Sequence, residues 1–268
     1  MKRIQLFEFE DLDWFPHSIR ICMTRFLVAF HRALGTPKMI VPLLQRALRC
    51  SESRDVIDLC SGSCGPMLEV SYELHRDVQT DDVRVFFSDL FPQPEAIQNV
   101  DELQDSRLQY RPQSVDASSI PKDWRGVRTL CCAMHHMAPQ VARGILKDAF
   151  EQRQPIVIFE ISDNGLPRVL WPFAFPFVFL LALVLTPWIR PLTWRQIGYT
   201  YILPILPLLI AWDGAVSNAR TYNHDDMKEL IEGLDGSGYQ WEMGVFDGLG
   251  PFSKQLYLLG LPTETTCR

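Results

Sequence analysis

Residues 56–66 read VIDLCSGSCGP, an apolar run that ends in an acidic residue and continues into a loop of small residues. The pattern predicts a short buried strand ending near Asp58, and then a loop in which Gly62 and Gly65 let the backbone approach a ligand closely. Pro66 favours the start of a helix directly after this loop. Cofactor sites of the nucleotide type begin in this way, although an ordinary strand-turn-helix without a ligand has the same pattern.

Strand and helix patterns alternate through the chain after this loop. Apolar runs end next to Asp89, near Asp116, within the stretch RTLCCAMHHM at 128–137, and at Glu160. This alternation predicts a doubly wound, Rossmann-like α/β fold with a mostly parallel sheet that binds ligands at the carboxyl ends of its strands. Two final strands joined by a Gly-Pro turn, over 239–262, predict that one C-terminal strand is antiparallel.

Four motifs follow one another in the sequence: DLCSGSCGP from Asp58, SDLFPQ from Ser88, RTLCCAMHHMAP from Arg128 and WDGAVSNARTY from Trp212. In this order the chain resembles class I S-adenosylmethionine-dependent methyltransferases, and within them a bacterial-type group. The resemblance implies a seven-stranded Rossmann-like sheet and S-adenosylmethionine as the cofactor. It also implies an enzyme that transfers a methyl group to an acceptor.

The resemblance further implies which residues bind the cofactor. Asp58 and the loop backbone would hold the methionine part, Asp89 the ribose, and Asp116 with its neighbour the adenine. The complete predicted set is Asp58, Cys60, Gly62, Gly65, Asp89, Leu90, Asp116, Ala117 and Ala133.

Cys60 and Cys64 stand where the resembling group has glycines. Because Cys carries a Cβ atom, we expect neither position to adopt a positive φ. We also expect cofactor binding to be weaker than is usual for the group.

His135 and His136 follow the fourth strand, where the acceptor approaches the cofactor in this class of fold. An imidazole can remove the proton of an acceptor hydroxyl, so both residues are predicted to be catalytic. A structural role, as a helix cap or a packing group, is the alternative. The nearby cysteines and histidines could together bind zinc or arsenic, but no C-x-x-C spacing is present, and we expect no metal site.

The chain divides into three predicted parts. Residues 1–50 form an N-terminal helical cap, residues 51–167 with 214–268 form the cofactor-binding domain, and residues 168–213 form a hydrophobic helical insertion. The residues predicted to contact the acceptor are Trp14, Arg220 and Tyr222.

The insertion contains two uncharged runs, 169–189 and 196–212, separated by a connector with Arg190 and Arg195. The first run has the length of a transmembrane helix. A spanning hairpin would carry both arginines across the bilayer, against the positive-inside tendency, so a hairpin lying on the membrane is the second possibility. The third is a soluble lid over an apolar acceptor chamber. We therefore expect a small-molecule or lipid acceptor, membrane contact through 169–212, and a location on the cytoplasmic side of a membrane or in the cytoplasm.

Composition narrows the class of protein. A formal net charge of -6 argues against nucleic acid as a partner, since such proteins normally present a basic face. The seven cysteines have no small-scaffold spacing, which favours reduced thiols. Two rival functions remain, a nicotinamide-dependent reductase and a non-catalytic membrane-associated protein with the same fold. The oligomeric state is left open.

Overall fold

One sheet of seven strands organises the part of the chain that the structure describes. This computed structural model describes residues 3–4, 6–165, 171–236, 238–247 and 254–263, with the backbone alone at 171–173. The strands are β1 (Asp55–Leu59), β2 (Arg84–Ser88), β3 (Leu108–Tyr110), β4 (Val127–Cys131), β5 (Ile156–Glu160), β6 (Tyr239–Asp247) and β7 (Lys254–Pro262).

The strand order is β3-β2-β1-β4-β5-β7-β6. Strands β1 to β5 pair in parallel, and β7 pairs antiparallel with β5 and with β6. All five residues of β5 are buried, as parallel strands covered on both faces require. The predicted Rossmann-like sheet with an antiparallel C-terminal strand is therefore confirmed.

Helices cover both faces of the sheet. One face packs against residues of α2, α3 and α4, and the opposite face packs against residues of α5 and α9. The helices are α1 (His17–Leu34), α2 (Thr36–Arg49), α3 (Met67–Leu74), α4 (Pro94–Asp101), α5 (Pro139–Glu151), α6 (Trp171–Leu185), α7 (Trp194–Ile197), α8 (Ile205–Arg220) and α9 (His224–Ile231).

The N-terminal region takes part in two different cores. Helix α2 contributes Leu44 to the core on one face of the sheet, so packing is continuous across the predicted boundary at residue 50. Helix α1 instead contributes Phe26 to a third core, which contains Ala182 of α6 and Ile210 of α8. The first helix of the predicted cap and the predicted insertion therefore form one layer above the sheet.

The insertion is built from short helices. Helix α6 has 15 residues, and a π-helix, Gly198–Ile202, lies between α7 and α8. In the described part of the chain no single helix combines the length and the hydropathy needed to cross a bilayer. The segments Trp194–Ile202 and Ile205–Arg220 reach that length only together, and they are bent by 83°. The prediction of a transmembrane helix is not supported, because prolines and a π-helical turn divide the apolar runs.

The cysteines differ in their bonding. Cys22, Cys60, Cys64, Cys131 and Cys132 are free thiols, whereas Cys50 is disulfide-bonded. The expectation of reduced thiols is therefore wrong for Cys50 and the cysteine to which it is bonded.

Strand β4, which leads to the histidine pair, is tied to α5 by a buried ion pair. Arg128 is fully buried, and its Nη1 lies 2.6 Å from Oδ2 of Asp148. Burial lowers the pKa of Arg128, and the carboxylate of Asp148 opposes that shift. The guanidinium depends on this partner because a buried charge without one is strongly unfavourable.

We expect Asp148→Ala to lower the free energy of unfolding by about 3–5 kcal/mol, since it leaves the Arg128 guanidinium buried without a carboxylate. Urea denaturation measures this change. The control is Glu73→Ala, which removes the exposed pair with Arg76 and should change stability by less than about 0.5 kcal/mol. Equal effects of the two substitutions would contradict the assignment.

Candidate functional site

The loop after β1 follows a left-handed path. Cys60, Gly62, Cys64 and Gly65 have φ values of 57°, 50°, 70° and 38°. The expectation that the two cysteines avoid positive φ is wrong, because the path of the loop imposes this conformation whichever residue occupies it. Each Cys then carries a steric cost of about 1–2 kcal/mol from its Cβ atom. A Cβ built on Gly62 or Gly65 meets no atom within 4 Å, so space beside the loop is open.

Asp58 lies buried at the start of this loop. Its carboxylate accepts hydrogen bonds from the Ser61 hydroxyl at 2.6 Å and the Thr129 hydroxyl at 2.7 Å. Burial raises the pKa of Asp58 to about 7, although these two hydrogen bonds act in the opposite direction. A positively charged ligand group beside Asp58 would favour its ionised form.

Asp89, directly after β2, joins the ends of three strands. Its Oδ2 accepts a hydrogen bond from the backbone N–H of Gly62 at 2.9 Å, and its Oδ1 accepts one from Phe91 at 2.8 Å. The backbone oxygen of Asp89 accepts a hydrogen bond from Val115, and the Tyr110 hydroxyl donates to the backbone oxygen of Gly62. The Asp89 carboxylate therefore connects the β1 loop to the segment after β2, and the Asp89 backbone oxygen adds the segment after β3.

The other predicted cofactor residues lie at the same edge of the sheet. Leu90 and Asp116 are exposed, whereas Ala117 and Ala133 are buried. The carboxylate of Asp116 accepts hydrogen bonds from the backbone N–H and the hydroxyl of Ser118. The structure thus places the predicted set along the carboxyl ends of β1, β2, β3 and β4.

A cavity of about 290 Å³ lies between α1, the two long helices of the insertion and the ends of β4 and β5. Its wall is mainly apolar, with polar groups clustered at the side of the histidine pair. Apolar lining residues include Met23, Phe26, Phe30, Val178, Leu181 and Ile210. The polar lining residues are Glu8, Glu10, His31, His135, His136, Ser162, Asp213, Ser217 and Asn218. This arrangement agrees with the third possibility for the insertion, a lid over an apolar chamber.

His135 is buried and bonded to Glu160, the last residue of β5. Its Nδ1 lies 2.7 Å from one carboxylate oxygen, and its backbone N–H donates to the other oxygen at 3.1 Å. Burial acts to lower the pKa of His135, but the charge and hydrogen bond of Glu160 prevail and raise it to about 9. The contact with Glu160 favours the protonated imidazole, which is a poor general base, so the geometry does not favour the catalytic role of His135, which stays a prediction.

His136 stacks beside His135, with ring centroids 4.2 Å apart, and is more exposed. Its Nδ1 lies 3.4 Å from Asp11, and its Nε2 lies 3.9 Å from Glu8. Partial burial of Asp11 opposes ionisation, but hydrogen bonds from His136 and Arg220 lower its pKa to about 2. Both rings line the cavity, and His136 is the one without a short carboxylate bond.

The three predicted acceptor contacts are placed elsewhere. Trp14 is 71% exposed and does not line the cavity. The Arg220 guanidinium is buried and engaged by Glu8 at 3.1 Å and by Asp11 at 2.7 Å, so it is not available for an anionic acceptor. Tyr222 is fully buried, and its hydroxyl donates to a backbone oxygen. The polar groups of Arg220 and Tyr222 are therefore already bonded within the protein.

Three carboxyl groups of the cavity were not predicted from the sequence: Glu8, Glu10 and Asp213. Glu8 lines the cavity next to His136, and Asp213 of α8 accepts hydrogen bonds from the backbone N–H groups of Phe9 and Glu10. Burial raises the pKa of Glu10 to about 8 and that of Asp213 to about 6. The signals were acidic residues within the aromatic run FEFED and a single Asp in an apolar helix, since charges in such surroundings need partners.

No family model matches the chain, and no curated protein matches its sequence. Solved structures with the same fold are found at low identity. An O-methyltransferase of neocarzinostatin biosynthesis, in complex with S-adenosyl-L-homocysteine and 1,4-dihydroxy-2-naphthoic acid, is 13% identical, with a TM-score of 0.52. The match covers 92% of this chain and 59% of that one. The plantazolicin methyltransferase BamL, in complex with a triazolic substrate analogue and S-adenosyl-L-homocysteine, is 9% identical, with a TM-score of 0.51 and coverage of 91% and 97%. At such identity the likeness shows the fold.

The left-handed loop generates a prediction on stability. Cys60→Gly and Cys60→Ala both remove the thiol, but only glycine removes the strained Cβ, so we expect the Gly variant to be about 1 kcal/mol more stable than the Ala variant. Thermal or urea unfolding measures this difference. Ala29, inside helix α1, is the control, because glycine is less stable than alanine in a helix. We expect Ala29→Gly to be about 1 kcal/mol less stable than the parent. A Cys60→Ala variant as stable as Cys60→Gly would contradict the strain.

Proposed function

We propose that this protein is an S-adenosylmethionine-dependent methyltransferase that acts on an apolar or amphipathic acceptor. The proposal rests on one observation: two features lie at the same edge of the sheet. One is the glycine-cysteine loop bonded to Asp89, and the other is the apolar cavity at the ends of β4 and β5. Doubly wound sheets bind their ligands at the carboxyl ends of the strands, which is where both features lie.

The residues of the loop fit the cofactor. The left-handed backbone at Gly62 and Gly65 leaves open space in front of the loop, and a backbone cradle of this kind suits a nucleotide-type ligand. Asp58 supplies a buried carboxyl for the cationic methionine part, and Asp89 supplies an acceptor for ribose hydroxyls. When bound, S-adenosylmethionine supplies an electrophilic methyl group on a positively charged sulfur.

The cavity sets the class of acceptor. A volume of about 290 Å³ and an apolar wall suit a small apolar molecule or the apolar end of a longer one. The carboxyl and imidazole groups on one side orient the polar end of that molecule. Because the contact with Glu160 favours the protonated form of His135, His136 is the better candidate to remove a proton from the acceptor when no metal is bound.

Calorimetric titration of the purified protein with S-adenosylmethionine and, separately, with NADPH tests the class of function. Binding of the former alone supports the methyltransferase. Binding of NADPH alone would favour the reductase, and binding of neither would favour a non-catalytic protein on the same fold. The loop supports the first outcome, since GxSCG is a poor match to the dinucleotide fingerprint.

The outer face of the insertion supports a second proposal, contact with a membrane surface. Apolar side chains at helical spacing on α6 are exposed, and two exposed tryptophans follow them. These residues are Phe177, Leu180, Val184, Trp188 and Trp194. Exposed Arg190 and Arg195 lie in the same segment, where they can meet lipid phosphates. We propose that this face lies in the headgroup region on the cytoplasmic side of a membrane.

For the cofactor, we expect Asp89→Ala to weaken S-adenosylmethionine binding at least tenfold. The substitution removes a charged acceptor and releases the Gly62 N–H that holds the loop, and hydrogen bonds to a charged group contribute about 1.5–3 kcal/mol each. Calorimetry measures the change. Asp82→Ala, near the opposite end of β2, is the matched control and should bind as the parent does. An unchanged affinity in folded Asp89→Ala would place the cofactor elsewhere.

Cofactor affinity should rise with pH because the ionised form of Asp58 binds the cationic cofactor. With its pKa raised to about 7, Asp58 is mostly protonated at pH 6 and mostly ionised at pH 7.5, which gives a roughly eightfold gain in affinity. Calorimetry across this range measures the gain, and buffers of different ionisation enthalpy report proton release on binding. Asp58→Asn should abolish the pH dependence. A flat profile and no proton release in the parent would refute the assignment.

The membrane proposal predicts that the protein sediments with anionic vesicles and resists elution by salt, since buried apolar area holds it there. Aspartate at Phe177, Leu180 and Val184 should release it while leaving cofactor binding unchanged. A matched control places aspartate at three other exposed apolar residues: Val78, Leu103 and Val141. Equal release by both triple variants, or no sedimentation of the parent, would contradict the proposal.

A further inference from the structure

We infer that Glu8, His135 and His136 form a binding site for one divalent transition metal ion at the polar end of the cavity. One ligand atom from each of the three side chains can be chosen so that all lie within 4.8 Å of one another. All three side chains line the cavity. The sequence expectation of no metal rested on the spacing of cysteines, and this set contains none of them.

The orientation of both imidazoles supports this site. Glu160 contacts Nδ1 of His135 at 2.7 Å, and Asp11 contacts Nδ1 of His136 at 3.4 Å. His135 therefore uses Nδ1 for a carboxylate and keeps Nε2 for another partner. Nδ1 of His136 faces both Asp11 and the Arg220 guanidinium, the latter at 3.5 Å, while its Nε2 lies on the side of Glu8. Histidines that bind a metal through one ring nitrogen usually donate the other N–H to a carboxylate, which fixes the tautomer and the ring plane.

Carboxylates outnumber guanidinium groups around the two rings. Glu8, Asp11 and Glu160 contact the imidazoles; Arg220 contacts Glu8 Oε1 and Asp11 Oδ2, and Arg3 donates to the backbone oxygen of His135. A bound ion would take the place of the His135 proton, because metal ligands are neutral imidazoles, and would add positive charge beside the three carboxylates. Arg220 engages Oε1 of Glu8, which leaves Oε2, the oxygen nearer His136, for the ion.

The ligand set indicates the kind of ion. Two imidazoles and one carboxylate suit zinc and similar transition metals, which take three protein ligands and keep an open position. Ligand atoms around tetrahedral zinc lie about 3.4 Å apart. The 3.9 Å between His136 Nε2 and Glu8 Oε2 closes to this value with a small rotation of the half-exposed His136 ring. Because all three ligand side chains line the cavity, the open position would be accessible to a molecule bound there.

The site defines the acceptor more closely, and this part rests on the proposed methyltransferase function. With His136 bound to the ion, the ion and not a free imidazole would promote loss of the acceptor proton. A cation at the end of an apolar cavity would bind an oxygen donor of the acceptor and favour its deprotonated form. We therefore infer that the acceptor presents a hydroxyl, phenol or carboxyl oxygen to the ion. Metal binding itself is independent of methyl transfer, so the two can fail separately.

The test is calorimetric titration of the full-length, chelator-treated protein with Zn²⁺, with Co²⁺ absorbance as a second probe of coordination. We expect one equivalent of Zn²⁺ to bind. His136→Ala should weaken binding at least tenfold, and Glu160→Gln should weaken it about 10- to 100-fold by freeing the His135 ring. His136 is half-exposed, so its substitution should leave the fold intact, which circular dichroism verifies.

Two control variants separate this site from others. His17→Ala removes an exposed histidine that pairs with Glu95, and Cys132→Ser removes a cavity thiol; both should bind Zn²⁺ as the parent does. No stoichiometric binding by the parent would overturn the inference. Loss of binding in Cys132→Ser, with binding retained in His136→Ala, would also overturn it, because a thiolate would then hold the metal. Zn²⁺ binding without S-adenosylmethionine binding would leave the metal site standing and refute the methyltransferase.

Discussion

The buried contact between Glu160 and His135 is the constraint on which the arrangement of the site depends. A carboxylate at the end of a fully buried strand needs a partner, since an unpaired buried charge is strongly unfavourable. His135 satisfies both oxygens with its ring and its backbone N–H. The short helical turn that carries His135 is thereby fixed against β5, and His136 is directed toward the cap.

The N-terminal segment closes the cavity through a second set of buried charges. Asp213 accepts hydrogen bonds from the backbone of Phe9 and Glu10, and Arg220 reaches Glu8 and Asp11 from the same helix. Helix α8 therefore holds residues 8–11 beside the histidine pair at the ends of the strands. The same helix lines the apolar part of the cavity, so cap, insertion and site are one structural unit.

In the glycine-cysteine loop, two residues with a Cβ atom adopt the left-handed conformation that normally favours glycine, because the fold requires it. A Cβ atom disfavours the left-handed region by about 1–2 kcal/mol, yet Cys60 and Cys64 both adopt it. The bonds from Gly62 to Asp89 and from Tyr110 to Gly62 fix the path of the loop. The strain at the cysteines is therefore offset by contacts from the neighbouring strand ends.

The sequence by itself determined the sheet, its antiparallel final strand and the loop after β1, because these follow from the period of apolar residues and from short-range turn chemistry. The sequence also located the histidine pair. Only the tertiary structure decided which side chains are buried and which groups they contact. It made Arg220 a buried structural partner and brought Glu8 to His136. It also divided the insertion into an inner face that lines the cavity and an outer apolar face. Contacts between residues distant in the chain depend on packing, and no local pattern encodes them.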